Sequence, residues 1–359
     1  MSRFLGSQAL SLTPYQPGEQ PKDKKYIKLN TNESPYPPSP GVAAATEKLD
    51  PADYRLYPDP EAGALREELA DYHGVQPGQV FVGNGSDEVL GFSFFAFFDK
   101  GDKVYFTDPG YGFYPVYAQL CGLCAQTVPL GEKFETNPKD FAAKDGNIIL
   151  TNPGVPSGHG LGRDEIELVL NSNPDRLVIV DEAYIDFADE NMHSLPLLGR
   201  YDNLLIVRTF SKSRALAGLR LGYALSTPEI IAGIERIRYS FNSYNVNRAT
   251  QAAGIASLED EAYFRQCVEN ITQTRERVLV RIRDMGLEAL PSYSNFILIS
   301  HPKIDGVRLY QALRDSGILV RYLSHPRTAG YVRVTVGDDG QMDALLNILA
   351  NIGKDTPAL

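Results

Sequence analysis

Short, unbroken apolar runs recur through the middle of this chain, at residues 103–106, 147–151, 177–181, 204–209 and 221–225, after a shorter one at 79–82. Each has strand length, and none alternates apolar with polar residues. A strand with one wet face alternates, whereas a strand covered on both faces does not. Helical apolar spacing precedes them at 62–73 and lies between them at 86–98 and 163–171. The pattern predicts an α/β domain, a parallel or mixed sheet between layers of helix. The tail reads differently. Strand candidates at 296–300 and 331–336 mix with helical stretches at 306–316 and 341–352, which predicts a smaller α+β domain. A long helical pattern over 247–285, interrupted near 258–260, joins the two. The expected division is 1–45 as an arm contributing part of the small domain, 46–245 as the large domain, and 246–359 as the joining helix and small domain. Five prolines between Pro14 and Pro37 mark the arm as extended.

Composition narrows the partners. The 359 residues are 43% hydrophobic and 22% charged, ordinary for a globular chain, with a formal net charge of −10. That sign argues against nucleic acid or an anionic membrane as the main partner. No apolar stretch approaches the roughly 20 residues that span a bilayer, and the first residues lack the apolar centre of a signal peptide. Three cysteines, Cys121, Cys124 and Cys267, are too few for a disulfide framework. A single CxxC with no matching histidines is a weak metal signal, so no metal is expected. Free thiols in the reducing cytoplasm fit better.

In open α/β sheets, ligands gather at the carboxyl ends of the strands. The polar ends of the apolar runs are Gly83-Asn-Gly-Ser-Asp-Glu88, Thr107-Asp-Pro-Gly-Tyr111, Asn152-Pro-Gly-Val-Pro-Ser-Gly158, Asp181-Glu-Ala-Tyr184 and Thr209-Phe-Ser-Lys212. One shared site explains five such loops more economically than five separate caps. Lys212 stands at the mouth of a buried strand, where loss of solvation favours a neutral, nucleophilic amine. Asp181 ends a strand of Leu-Val-Ile-Val, where an unpartnered carboxylate is costly and a cationic ring nitrogen would satisfy it. Gly85, Ser86 and Asp87 open an apolar helix whose free N–H groups suit an anion; simple N-capping is the competing reading. Thr209, Ser211 and Arg220 surround the lysine with groups fit for a phosphate. Tyr111 offers a flat ring for stacking, and Tyr184 a hydroxyl near Asp181.

The blocks Leu29-Asn-Thr-Asn-Glu33, Tyr57-Pro-Asp-Pro60, Asp181-Glu-Ala-Tyr184 and Arg208-Thr-Phe-Ser-Lys-Ser-Arg-Ala-Leu-Ala-Gly-Leu-Arg-Leu-Gly-Tyr223 resemble the fold type I pyridoxal-phosphate aminotransferases. Within them the sequence looks most like the histidinol-phosphate aminotransferases, in order over nearly the whole chain. The resemblance implies a large domain with a mostly parallel, seven-stranded sheet sandwiched by helices. It implies pyridoxal 5'-phosphate as cofactor, bound covalently by Lys212, with Asp181 on the pyridinium, Tyr184 on the phenolic oxygen and Tyr111 stacked on the ring. Gly85, Ser86, Asp87, Thr209, Ser211 and Arg220 would hold the phosphate. Tyr57 resembles a tyrosine that reaches the phosphate from the neighbouring subunit, which implies a homodimer. Tyr15, Asn32, Arg321 and Arg333 fall at substrate-side positions; an arginine fork suits a carboxylate or phosphate.

One departure stands out. The family usually has Asn-Pro-Asn-Asn-Pro-Thr-Gly, and this chain has Asn-Pro-Gly-Val-Pro-Ser-Gly, with Val155 where an asparagine would bond the phenolic oxygen. Asn152 is the nearby amide that could take over; otherwise Tyr184 acts alone. The implied reaction is amino transfer from histidinol phosphate to 2-oxoglutarate. An aromatic aminotransferase or a threonine-phosphate decarboxylase on the same scaffold is the alternative.

Overall fold

The computed structural model describes residues 2–352. Its centre is a seven-stranded sheet in the order Val80–Gly83, Gly222–Leu225, Leu204–Thr209, Val178–Asp181, Asn147–Thr151, Lys103–Asp108, Cys124–Pro129. Gly222–Leu225 runs antiparallel to both neighbours, and the other pairings are parallel. The unbroken apolar runs are therefore explained by two cores rather than one. Ile148, Leu150, Val178, Val180, Leu204 and Ile206 face one core, which holds helix Gly63–His73 through Leu65 and Leu69. Ile149, Ile179, Leu205 and Val207 face the other, which holds helices Gly85–Phe97 and Phe113–Cys121. Successive side chains point to opposite faces, and here both faces are dry.

Cys124–Pro129 is a strand that the apolar pattern does not reveal. It is an edge strand with five of its six residues exposed, so its sequence carries little hydrophobic signal. Cys121 ends the preceding helix and Cys124 opens this strand; both are free.

The smaller region is a four-stranded antiparallel sheet, Arg321–Tyr322, Tyr331–Thr335, Phe296–Ser300 and Glu288–Ala289. It packs on helices Glu261–Asp284, Gly306–Asp315 and Asp339–Leu349 through Ile271, Val278, Leu309 and Leu345. The 247–285 pattern is two helices, Arg248–Glu259 and Glu261–Asp284, meeting at Asp260. Ala253, Ala256 and Leu258 of the first helix pack in the large core beside Val42. The arm is less extended than its prolines suggest. Pro40–Glu47 is a helix, with proline at its start where no N–H is needed. Ile27–Lys28 pairs in parallel with Ile318–Leu319, fastening the arm to the small domain. Among the described residues no helix is long and apolar enough to cross a membrane.

Candidate active site

The carboxyl-terminal halves of the five parallel strands and the small sheet line a cavity of about 600 Å³. Asp181, Tyr184, Thr209, Ser211, Lys212, Arg220, Ser86, Asp87 and Tyr111 line it from the large-domain side, with Val155 and Pro156 beside them. Tyr15 and Asn32 from the arm, and Arg321 and Arg333 from the small sheet, complete the wall. The one-site expectation thus gathers loops from residues more than 300 positions apart.

Asp181 ends its strand 4% exposed. One carboxylate oxygen accepts the Tyr114 hydroxyl at 2.7 Å and the other the Ala183 N–H at 3.2 Å. Burial outweighs these bonds and pushes the carboxyl up to about 6. No cationic side chain among the described residues forms an ion pair with it. Tyr114 passed unnoticed in the sequence, although it lies three residues after Tyr111, in the first turn of helix Phe113–Cys121.

Lys212 Nζ lies 3.4 Å from the Thr31 carbonyl and 5.8 Å from the centre of the Tyr184 ring. Asn32 Nδ2 donates to the Tyr184 oxygen at 2.9 Å, which leaves the tyrosine's own proton free to be given elsewhere. Asn32 is itself held by Thr335 and Asn295 and sits at a φ of 56°, so this small-domain link to Tyr184 is tightly set. Glu33 pairs with Lys28 and accepts from Thr31, which turns its charge away from a free role.

At the start of helix Gly85–Phe97 the N-cap residue Asn84 makes no side-chain cap, and only its own N–H is taken, by Glu88 at 2.7 Å. Gly85 has a φ of +82°, and a Cβ there would stand 2.5 Å from Arg220 Nη2. A Cβ on Gly222 would meet the Ser86 nitrogen at 2.3 Å. Only glycines allow strand, helix start and arginine to converge here. Arg220 contacts Asp87 at 3.0 Å, and Asp87 also accepts from Tyr111 at 2.7 Å. The uncapped helix end and the guanidinium form a cradle for an anion.

On the opposite wall Arg333 has no ion-pair partner among the described residues, and its Nε is enclosed without a hydrogen bond. Burial lowers its pKa, as expected of a cation lacking a counter-charge. Arg321 is its cross-strand neighbour but is already engaged, donating to the Gln16 and Pro17 carbonyls at 3.1 and 3.2 Å. It ties down the arm that carries Tyr15, whose ring stacks on Phe113 at 4.3 Å.

One expected residue lies elsewhere. Asn152 is fully buried and spends its amide on the loop, accepting from Leu161 N and donating to the Leu161 and Met192 carbonyls. It does not line the cavity, so it does not replace the missing asparagine. Tyr57, expected to serve a neighbouring subunit's site, is 75% exposed and stacks on Tyr244 at 4.3 Å, away from this cavity wall. Sequence reasoning also missed Asp108 and His325, which meet at 3.3 Å on the cavity wall. Their only signal was Asp108's place at a strand end.

The site's chemistry fits pyridoxal phosphate. A buried acid calls for a cationic partner, an anion cradle stands at a helix start, and a lysine lies between them. Residues 24–349 match the model for aminotransferase class I and II. A histidinol-phosphate aminotransferase of Brachyspira hyodysenteriae is 46% identical, over 99% of this chain and 100% of its own length. Histidinol-phosphate aminotransferase 2 of Dechloromonas aromatica is 47% identical, over 98% and 99%. The crystal structure of histidinol-phosphate aminotransferase from Sinorhizobium meliloti in complex with pyridoxal-5'-phosphate superposes with a TM-score of 0.88, at 28% identity and covering 98% of each chain. Fold, site and sequence agree: this chain is a member of the class I and II aminotransferases.

Proposed function

We propose that this enzyme transfers the amino group of histidinol phosphate to 2-oxoglutarate, giving imidazole acetol phosphate and glutamate in histidine biosynthesis. The observation that carries the reading is one cavity holding Lys212, the cation-seeking Asp181 and the unpaired Arg333. Relatives 46% and 47% identical over nearly the whole chain bear the matching name.

Pyridoxal phosphate, when bound, supplies a reactive aldehyde and an electron-accepting ring. Lys212 would hold it, and the lysine amine would take the proton from the substrate's amine-bearing carbon. Asp181 would keep a proton on the ring nitrogen, because a cation beside it removes the cost of its buried charge. Tyr184, its oxygen already accepting from Asn32, would donate to the phenolic oxygen; Val155 has nothing to donate. Tyr111 would stack on the ring, while the Gly85 and Ser86 amides, Ser211, Thr209 and Arg220 would hold the phosphate. Arg333 receives the substrate's phosphate or carboxylate, with Arg321 beside it holding the arm and Tyr15 over the site.

The site is completed in a homodimer. Tyr57 and Tyr244 form an exposed aromatic pair, and Leu56 and Phe241 are exposed as well, a surface suited to a second copy whose cofactor phosphate Tyr57 reaches.

An absorbance titration tests the reading. The visible band of the bound cofactor should vanish with histidinol phosphate and return with 2-oxoglutarate. A band unmoved by histidinol phosphate would rule out that substrate.

A further inference from the structure

The two substrate-side arginines are cross-strand partners, Arg321 opposite Arg333, and residues 323–330 connect their strands. This connection is tightly built. Thr328 is fully buried and its hydroxyl bonds the Leu323 and His325 carbonyls. His325 Nδ1 accepts the Arg327 N–H at 3.2 Å, so the ring proton sits on Nε2 and is donated to Asp108. Arg327 reaches in the same direction. It donates to the Leu130 carbonyl at 2.7 Å and to the Gly131 carbonyl, with its guanidinium 5.4 Å from the centre of the Phe134 ring. Asp108 ends one strand of the large sheet, and Leu130, Gly131 and Phe134 follow its neighbour.

Phe134 is the hub of this contact. It holds a φ of 60°, a conformation a bulky residue adopts only when its surroundings enforce it. Its carbonyl accepts from Ser157, in the loop that places Val155 on the cavity wall. Its ring meets Tyr331, at the start of the Arg333 strand, edge-on at 5.5 Å.

We infer that Arg327, assisted by His325, is a positioning residue: it clamps the hairpin bearing Arg321 and Arg333 to the large domain and so sets their distance from Lys212. Arg327 itself stands behind the cavity wall, of which His325 is part. The clamp's consequence is selective, because only a substrate that uses the arginines depends on where they stand.

This inference rests on the proposed role of Arg333, and the experiment separates the two. The holoenzyme and its variants are assayed with histidinol phosphate and with histidinol, which lacks the phosphate. The readout is the ratio of the two kcat/KM values, which does not depend on the amount of folded enzyme. Arg327→Ala should lower the ratio about tenfold, through KM for histidinol phosphate, because a small misplacement of a binding group is costly. Arg327→Lys, which keeps a donor for one carbonyl, should recover part of the loss. Equal losses with both substrates, or an unchanged ratio in Arg327→Ala, would overturn the clamp. An unchanged ratio in Arg333→Ala would instead overturn the anion assignment beneath it.

Discussion

Asp181 and Glu182 are neighbours in sequence and both are buried, yet their surroundings differ in kind. Glu182 lies beside Arg208, with Nε at 2.8 Å and Nη2 at 2.7 Å, and its other oxygen accepts the Ser194 N–H at 2.7 Å. Its charge is matched within the chain. Among the described residues Asp181 has a hydroxyl and an amide but no cation, and burial raises its carboxyl to about 6. The same contrast divides the arginines: Arg208 is paired, and Arg333 is not. A buried charge matched within the chain serves the fold, whereas one left unmatched in a cavity is set for a ligand.

The largest effect should come from the residue that does chemistry. Lys212→Ala should slow transamination by about 10⁴-fold, with the unfolding midpoint nearly unchanged. A fall in both would place Lys212 among the structural charges. Next is the paired side of the comparison. Glu182→Gln leaves Arg208 buried without its counter-charge and should destabilise the fold by about 3–5 kcal/mol, read from chemical denaturation. Arg333→Ala should do the reverse, raising KM for histidinol phosphate by roughly 10- to 100-fold, the value of charge-assisted hydrogen bonds, while stability holds. A stability loss like that of Glu182→Gln would erase the distinction.

How much of this was legible in the sequence depended on local signal. The central strands were readable because dry faces on both sides demand unbroken apolar runs, as in Leu204–Thr209. The edge strand Cys124–Pro129 was not, because its exposed residues obey no such demand. Lys212 and Asp181 were readable as polar residues closing apolar strands. Arg333 was placed by resemblance alone, and nothing local distinguished it from a surface salt bridge. Asn152 looked available as a donor because its own loop had not yet claimed it; that claim comes from Leu161 and Met192, the latter 40 positions away. His325 and Asp108 lie 217 positions apart, and only the fold brings them together.

The most direct test compares Asp181→Asn with Glu182→Gln in the cofactor-free protein, by denaturation across pH. Burial raises the Asp181 carboxyl to about 6 in the folded chain, against about 3.9 when unfolded, so the folded state holds this proton more tightly. Its contribution to stability therefore falls as pH rises from about 4 to about 6. Asp181→Asn, which cannot ionise, should be more stable than the parent at pH 7 by about 2 kcal/mol, since each tenfold gain in proton affinity on folding is worth about 1.4 kcal/mol and the amide recovers part of the total. It should also lose most of the stabilisation that added pyridoxal phosphate gives the parent. Glu182→Gln should be less stable with or without the cofactor. If Asp181→Asn proved as destabilising as Glu182→Gln in the cofactor-free protein, the division between charges that serve the fold and charges set for a ligand would be contradicted.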